Sequence, residues 1–190
     1  MSLRQKKKQN WTKYKNFFAE RIPAQARNWL LEPGSLTHRI KRLCGNRRFE
    51  VKVLGQSYRC ATLSEAKVLR VPAGIRVLVR EVQLCCNDES WLYACTLVPV
   101  TTFIGRLQRL KRHGNRSLGA ALFADRTMRR GPLYITKKQS GNQIMWGRRS
   151  VFYLQNRPLL VAEYFLPELY RAEEQTWGVS TGGLNDMKAR

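Results

Sequence analysis

Two charged residues occupy positions that strand geometry assigns to apolar side chains. In the run Ile-Arg-Val-Leu-Val-Arg-Glu-Val-Gln-Leu (75–84), alternate residues share a face, so Arg80 lies in the row of Leu78, Val82 and Leu84. In Leu-Leu-Val-Ala-Glu-Tyr-Phe-Leu-Pro (159–167), Glu163 lies in the row of Val161 and Phe165. A buried charge costs several kcal/mol unless it is paired, so the fold must give each one a partner or a ligand. A cavity holding one Arg and one Glu suits anionic chemistry. The plain structural alternative is that the two pair with each other across adjacent strands.

The chain is 190 residues long and 43% hydrophobic, enough for one domain with a substantial core. No run of eighteen apolar residues occurs, and Met-Ser-Leu-Arg-Gln-Lys-Lys-Lys lacks the apolar stretch of a secretory signal, so a soluble, cytoplasmic protein is expected. Five cysteines at irregular spacings, most of them in or beside apolar runs, read as reduced core thiols. Lys and Arg number 35 against 13 Asp and Glu, a net charge of +22 that attracts nucleic acid, anionic lipid or a small polyanion.

The remaining pattern alternates helical and strand signals. Pro23 opens a helix over 24–31, and Ser35 caps a second whose Leu36, Ile40 and Leu43 form one stripe before Gly45-Asn46. Phe49, Val51 and Val53 alternate with polar residues as a half-exposed strand, and 54–57 reads as a turn. A short helix is expected over 64–69. Strands 75–84 and 91–98 flank the turn 87–90 as an antiparallel hairpin. A basic helical stretch through Ile104, Leu107 and Leu110 ends at His113-Gly114, and a helix carrying Leu118, Leu122 and Phe123 completes a second helical hairpin. Strands over 133–137, 149–155 and 159–166 follow, the last two joined by a turn at 156–158.

The expected fold class is α+β: a single domain with an antiparallel sheet of about six strands, helices on one side, and two helical-hairpin flaps over a buried site. The expected organisation is a basic arm over 1–21, the domain over 22–170, and a polar, disordered tail over 171–190.

Five segments, in this order and spacing, resemble the chorismate lyase family: Val-Arg-Glu-Val-Gln-Leu-Cys (79–85), Leu-Val-Pro-Val-Thr-Thr (97–102), Ser-Leu-Gly-Ala-Ala-Leu-Phe (117–123), Trp-Gly-Arg-Arg-Ser (146–150) and 159–167. The ordered set is far more specific than any one segment. The resemblance implies an enzyme without cofactor that makes 4-hydroxybenzoate and pyruvate from chorismate, the first committed step of ubiquinone synthesis. It places the carboxylate-binding arginine at Arg80 and the catalytic carboxylate at Glu163, the two residues singled out by strand alternation. It also implies product contacts through the backbone of Leu36 and Leu118, each just inside a helix start where N–H groups are free.

On that resemblance Arg80 anchors a carboxylate with two parallel N–H bonds. Glu163, if protonated, hydrogen-bonds the ring hydroxyl or assists departure of the ether oxygen; if ionised, it helps to remove the ring proton. Only one of Arg148 and Arg149 can face the ligand, and their motif reads as structural. No metal site is expected: Cys85 and Cys86 point to opposite faces, and no Cys-x-x-Cys occurs. The expected partners are chorismate and 4-hydroxybenzoate, with peripheral contact to an anionic membrane, no specific nucleic acid, and a monomeric state. Two other classes compete. A nucleic-acid binder fits the charge but lacks zinc-finger or RNA-recognition signatures. A ligand-sensing domain of the related fold fits the architecture but gives no reason for Glu163.

Overall fold

Tight turns fall where apolar alternation breaks, and they fold most of the chain into antiparallel neighbours. The computed structural model describes residues 10–16, 22–112, 114, 117–140 and 143–181. In chain order the elements are β1 (Thr12–Lys13), α1 (Ala24–Leu30), α2 (Leu36–Cys44), β2 (Phe49–Cys60), α3 (Leu63–Leu69), β3 (Arg76–Cys86), β4 (Glu89–Pro99), α4 (Leu118–Phe123), β5 (Arg129–Arg130), β6 (Tyr134–Ser140), β7 (Gln143–Leu154), β8 (Arg157–Phe165) and α5 (Pro167–Thr181). The sheet runs β1-β6-β7-β8-β4-β3-β2, with β5 beside β7. Six of these strands have seven or more residues, as expected; β1 and β5 have two each.

Each sheet face has its own core. On one face α1, α2 and α5 bury Trp29, Leu30, Ile40 and Leu169 against Trp91, Leu92 and Phe165. Beside them Phe103, Leu107, Leu110, Leu118 and Leu122 pack on Leu78, Phe152, Leu159 and Val161. Burial of each such side chain is worth roughly 1.5–3 kcal/mol against exposure, which fixes the register of every strand involved. The opposite face is partly covered by α3, whose Ala66 and Leu69 meet Val77, Val79, Leu97, Val151 and Leu160. Helices are therefore found on both faces rather than one.

Other differences have local causes. The expected turn at 54–57 is a bulge between Val53 and Gly55 inside the continuous strand β2. The stretch Gly105–Arg112 is a 3₁₀ helix, in keeping with the three-residue spacing of Leu107 and Leu110. β7 starts at Gln143, ahead of the expected 149, and its turn to β8 is Gln155-Asn156, both with positive φ (49° and 62°). The chain from Arg171 continues α5 to Thr181, with Ala172 buried in the core, instead of beginning a tail. Residues 182–190, His113 and the lysine triplet of the arm lie outside the described residues.

Cys44 and Cys86 form a disulfide, contrary to the expectation of five thiols. The cause is packing: Cys44 ends α2 and Cys86 ends β3, and the core brings their Cα atoms to 5.8 Å, within bonding reach. Cys60, Cys85 and Cys95 are free.

Gly147, in the centre of β7, has no room for a side chain. A Cβ there would meet the Tyr164 ring at 2.7 and 2.9 Å and Thr136 Cγ2 at 3.1 Å. Gly147→Ala is expected to destabilise the domain by about 1–3 kcal/mol, lowering the melting temperature by roughly 2–4 °C per kcal/mol. Thermal unfolding followed by circular dichroism checks this, and an unchanged midpoint would show that the Tyr164 ring yields freely.

Candidate active site

Five neighbouring strands, β2 (Val51), β3, β4, β8 and β7, and two helix starts converge on one cavity. β3 contributes Arg80, Val82 and Leu84; β4 contributes Leu92, Ala94 and Thr96; and β8 contributes Val161 and Glu163. β7 adds Arg148 and Phe152, and the roof comes from Leu36 and Thr37 of α2 with Ser117, Leu118 and Gly119 at the start of α4. All four residues expected in the site, Arg80, Glu163, Leu36 and Leu118, therefore line the same cavity.

The sheet register sets the spacing of the charges. Arg80 is opposite Thr96 on β4, and Ala94, two residues away, is opposite Glu163 on β8. One strand separates the two charged residues, which puts their backbones about 10 Å apart across the sheet. Arg80 is 4% exposed, and its Nη2 donates to the Gly114 carbonyl at 2.7 Å. Burial pushes its pKa down, but a guanidinium keeps its charge at neutral pH.

The ion pair to Glu163 comes from Arg148 rather than from Arg80. Arg148 stands directly opposite Glu163 in the β7–β8 register, and its Nε donates to Glu163 Oε2 at 2.8 Å. Its Nη1 donates to the carbonyls of Trp29 (3.3 Å), Leu30 (3.1 Å) and Glu32 (2.7 Å) at the end of α1. Arg130 joins this group through Ser150 Oγ and the Glu32 carbonyl. Burial first, and then the neighbouring Arg148, hold the Arg130 pKa down to about 10.

Arg148, whose Trp-Gly-Arg-Arg-Ser motif reads as structural in the sequence, thus lines the cavity. Arg149 points away, its guanidinium stacked 4.6 Å from the Trp11 ring and 5.5 Å from that of Tyr134. The signal that separates the two is register: only Arg148 shares a pleat with Glu163.

The two parts of the roof meet at their first turns. Thr37 Oγ1 and Ser117 Oγ lie 2.5 Å apart, joining the first turns of α2 and α4. Ser35 caps α2 by accepting from the His38 N–H. Leu36 and Leu118 open their helices, where the first N–H groups have no intrahelical acceptor. The enclosed space is about 40 Å³, whereas an apolar cavity that admits a benzene ring is on the order of 150 Å³. Outside the roof an open cleft shares Thr37, Val51 and Ser117 with the cavity and carries Lys41, Arg106, Arg109, Lys111 and Arg126 against Asp125. Among the described residues no cluster of His, Cys, Asp and Glu gathers to hold a metal ion.

These features define a small α+β domain that encloses a carboxylate-sized polar site under helical lids. Residues 7–175 match the chorismate lyase family model, and the chain belongs to that family. It is 36% identical over 157 residues to a probable chorismate pyruvate-lyase of Marinobacter nauticus, covering 82% of this chain and 83% of that one. It is 38% identical to another of Methylococcus capsulatus (77% and 98% covered) and 36% identical to the chorismate pyruvate-lyase of Hamiltonella defensa (77% and 80%). Among solved structures, PhnF of Mycobacterium smegmatis superposes with a TM-score of 0.55 at 18% identity, covering 73% of this chain and 66% of that one. Its effector domain alone gives 0.53 at 17% identity (71% and 90% covered). At such identity the likeness is one of fold.

Benzoate isolates the carboxylate contact. Arg80→Lys, which keeps the charge but loses the planar fork, is expected to weaken benzoate binding about tenfold or more, since hydrogen bonds to charged groups are worth roughly 1.5–3 kcal/mol. Calorimetric titration measures it, and equal affinity in both proteins would place the carboxylate elsewhere.

Proposed function

We propose that this protein is a chorismate pyruvate-lyase that converts chorismate to 4-hydroxybenzoate and pyruvate. The observation that carries the reading is the placement of Arg80 and Glu163 on one cavity face with a single strand between them. A ring with its carboxylate toward Arg80 and its hydroxyl-bearing carbon toward Glu163 fits that spacing. The family membership and the names of the relatives support the same reaction.

In the reaction the bond from the ring to the ether oxygen breaks, the ring carbon bearing the hydroxyl loses its hydrogen, and the enolpyruvyl fragment gains a proton and leaves as pyruvate. Aromatisation supplies the driving force, so the protein's task is to select one conformation and stabilise developing charge. Arg80 anchors the ring carboxylate, assisted by the backbone N–H groups of Leu36 and Leu118. Glu163 works at the other end of the ring, as a proton acceptor or as a partner that orients the hydroxyl. The lids exclude water while charge develops. The protein is proposed to act as a cytoplasmic monomer with no cofactor and no specific nucleic acid.

Purified protein given chorismate is expected to release 4-hydroxybenzoate and pyruvate in equal amounts. Glu163→Gln is expected to lower kcat by roughly 10²–10⁴-fold, and Arg80→Ala chiefly to raise KM. Folded, ligand-free protein that yields neither product would instead favour the ligand-sensing reading, whose observation is the shared fold of the PhnF effector domain.

No helix among the described residues is long and apolar enough to cross a membrane. The +22 charge is proposed to hold the enzyme peripherally at an anionic bilayer. Co-sedimentation with vesicles containing phosphatidylglycerol is expected to exceed that with neutral vesicles at physiological salt, and equal recovery would refute the membrane role.

A further inference from the structure

A carboxylate has two oxygens, and the bond from Arg148 occupies only one of those on Glu163. Oε2 accepts from Arg148 Nε; among the described residues Oε1 makes no hydrogen bond, and Glu163 borders the cavity. The other end of the same guanidinium is fixed by the carbonyls of Trp29, Leu30 and Glu32. Those carbonyls close α1 and lead through Pro33-Gly34 to Ser35, the cap of the lid helix α2. A helix end presents unsatisfied carbonyls and partial negative charge, so a buried guanidinium is a suitable donor there.

The guanidinium is flat and rigid. With Nη1 held by the carbonyls, the direction of Nε–H is set as well, and so is the position of the carboxylate oxygen that accepts from it. Lysine, a single ammonium on a flexible stem, cannot hold Glu163 and three carbonyls in that relation. Stability alone does not account for the arrangement, because a buried ion pair is often no more stabilising than apolar packing of the same volume.

We propose that Arg148 is a positioning residue that transmits the seating of the 29–32 segment, and hence of the first lid, to Glu163. The carboxylate then presents Oε1 to the substrate only when the lid is in place. This inference rests on the lyase reading and assigns Arg148 a task within it: it acts through Glu163 and not on the substrate.

The experiment is a double-mutant cycle. Arg148→Lys and Arg148→Gln are made alone and combined with Glu163→Gln, and kcat and KM for chorismate, calorimetric affinity for 4-hydroxybenzoate and cooperative unfolding are measured. Each single Arg148 variant is expected to lose about 10–100-fold in kcat, with KM and product affinity within about threefold, because Arg80 still holds the carboxylate. In the Glu163→Gln background the same substitutions are expected to change kcat less than about twofold, since the group they position is gone. Losses that multiply in that background, a kcat equal to wild type, or failure of both Arg148 variants to fold would each overturn the proposal in favour of a structural bond. Wild-type protein that does not turn over chorismate would overturn the lyase reading itself, and this proposal with it; turnover with multiplying losses would overturn this proposal alone.

Discussion

The ion pair between Arg148 and Glu163 is the constraint around which the rest of the structure is arranged. Arg148 is 2% exposed, and its charge is balanced by one carboxylate and three carbonyls drawn from a different part of the chain. Removing one partner of such a pair costs about 3–5 kcal/mol, because the other is left charged and buried. Satisfying it requires three things at once: the β7–β8 register that puts the two residues opposite each other, α1 ending over β7, and apolar packing that keeps water out. The loop 31–35 and the lid helix that follows inherit their position from the same requirement.

The two sheet faces divide the work. The face under α3 is packed with Val77, Val79, Leu97, Val151 and Leu160 and carries no cavity residue. Where the other face lines the cavity, its sheet residues are apolar except at Arg80, Thr96, Arg148 and Glu163, and the lids rest on this face through Leu36, Leu118 and Leu122. Strand alternation makes this possible: a strand can be rigid structural core on one side while it aims a charge at a ligand on the other.

That alternation is why much of the site was legible in the sequence. Arg80 and Glu163 stood out as charges in apolar rows, and Ser35 and Leu118 as helix starts, all from local pattern. Arg148 did not, because its role depends on register. A turn at 156–158 would set residue 151 against Glu163, whereas the two-residue turn Gln155-Asn156 sets Arg148 there. Such a turn needs positive φ at both central positions and favours Asn-Gly or Asp-Gly; Gln155-Asn156 carries only part of that signal. The Cys44–Cys86 bond was hidden for a related reason, since both cysteines lie at element ends that tertiary packing alone brings together. The reach of α5 depends on burial of Leu169 and Ala172, which a polar composition obscures.

Charge and size act in sequence on any ligand. Inside the cavity Arg80 and Arg148 face Glu163, two positive charges against one negative, so one carboxylate brings the closed site to neutrality. A cation would be repelled by the excess, and a neutral ring would leave it uncompensated in a medium of low dielectric. The cleft outside has the same sign, with Lys41, Arg106, Arg109, Lys111 and Arg126 against Asp125, so an anion meets positive potential from the surface inward. Steering of this kind weakens with salt in the open cleft, where a Debye length is about 8 Å at physiological ionic strength, but much less at Arg80, which is shielded from solvent. Electrostatics thus selects the class of ligand before any shape contact is made. The roof, joined at Thr37 and Ser117 over a space of about 40 Å³, then limits the ligand by size.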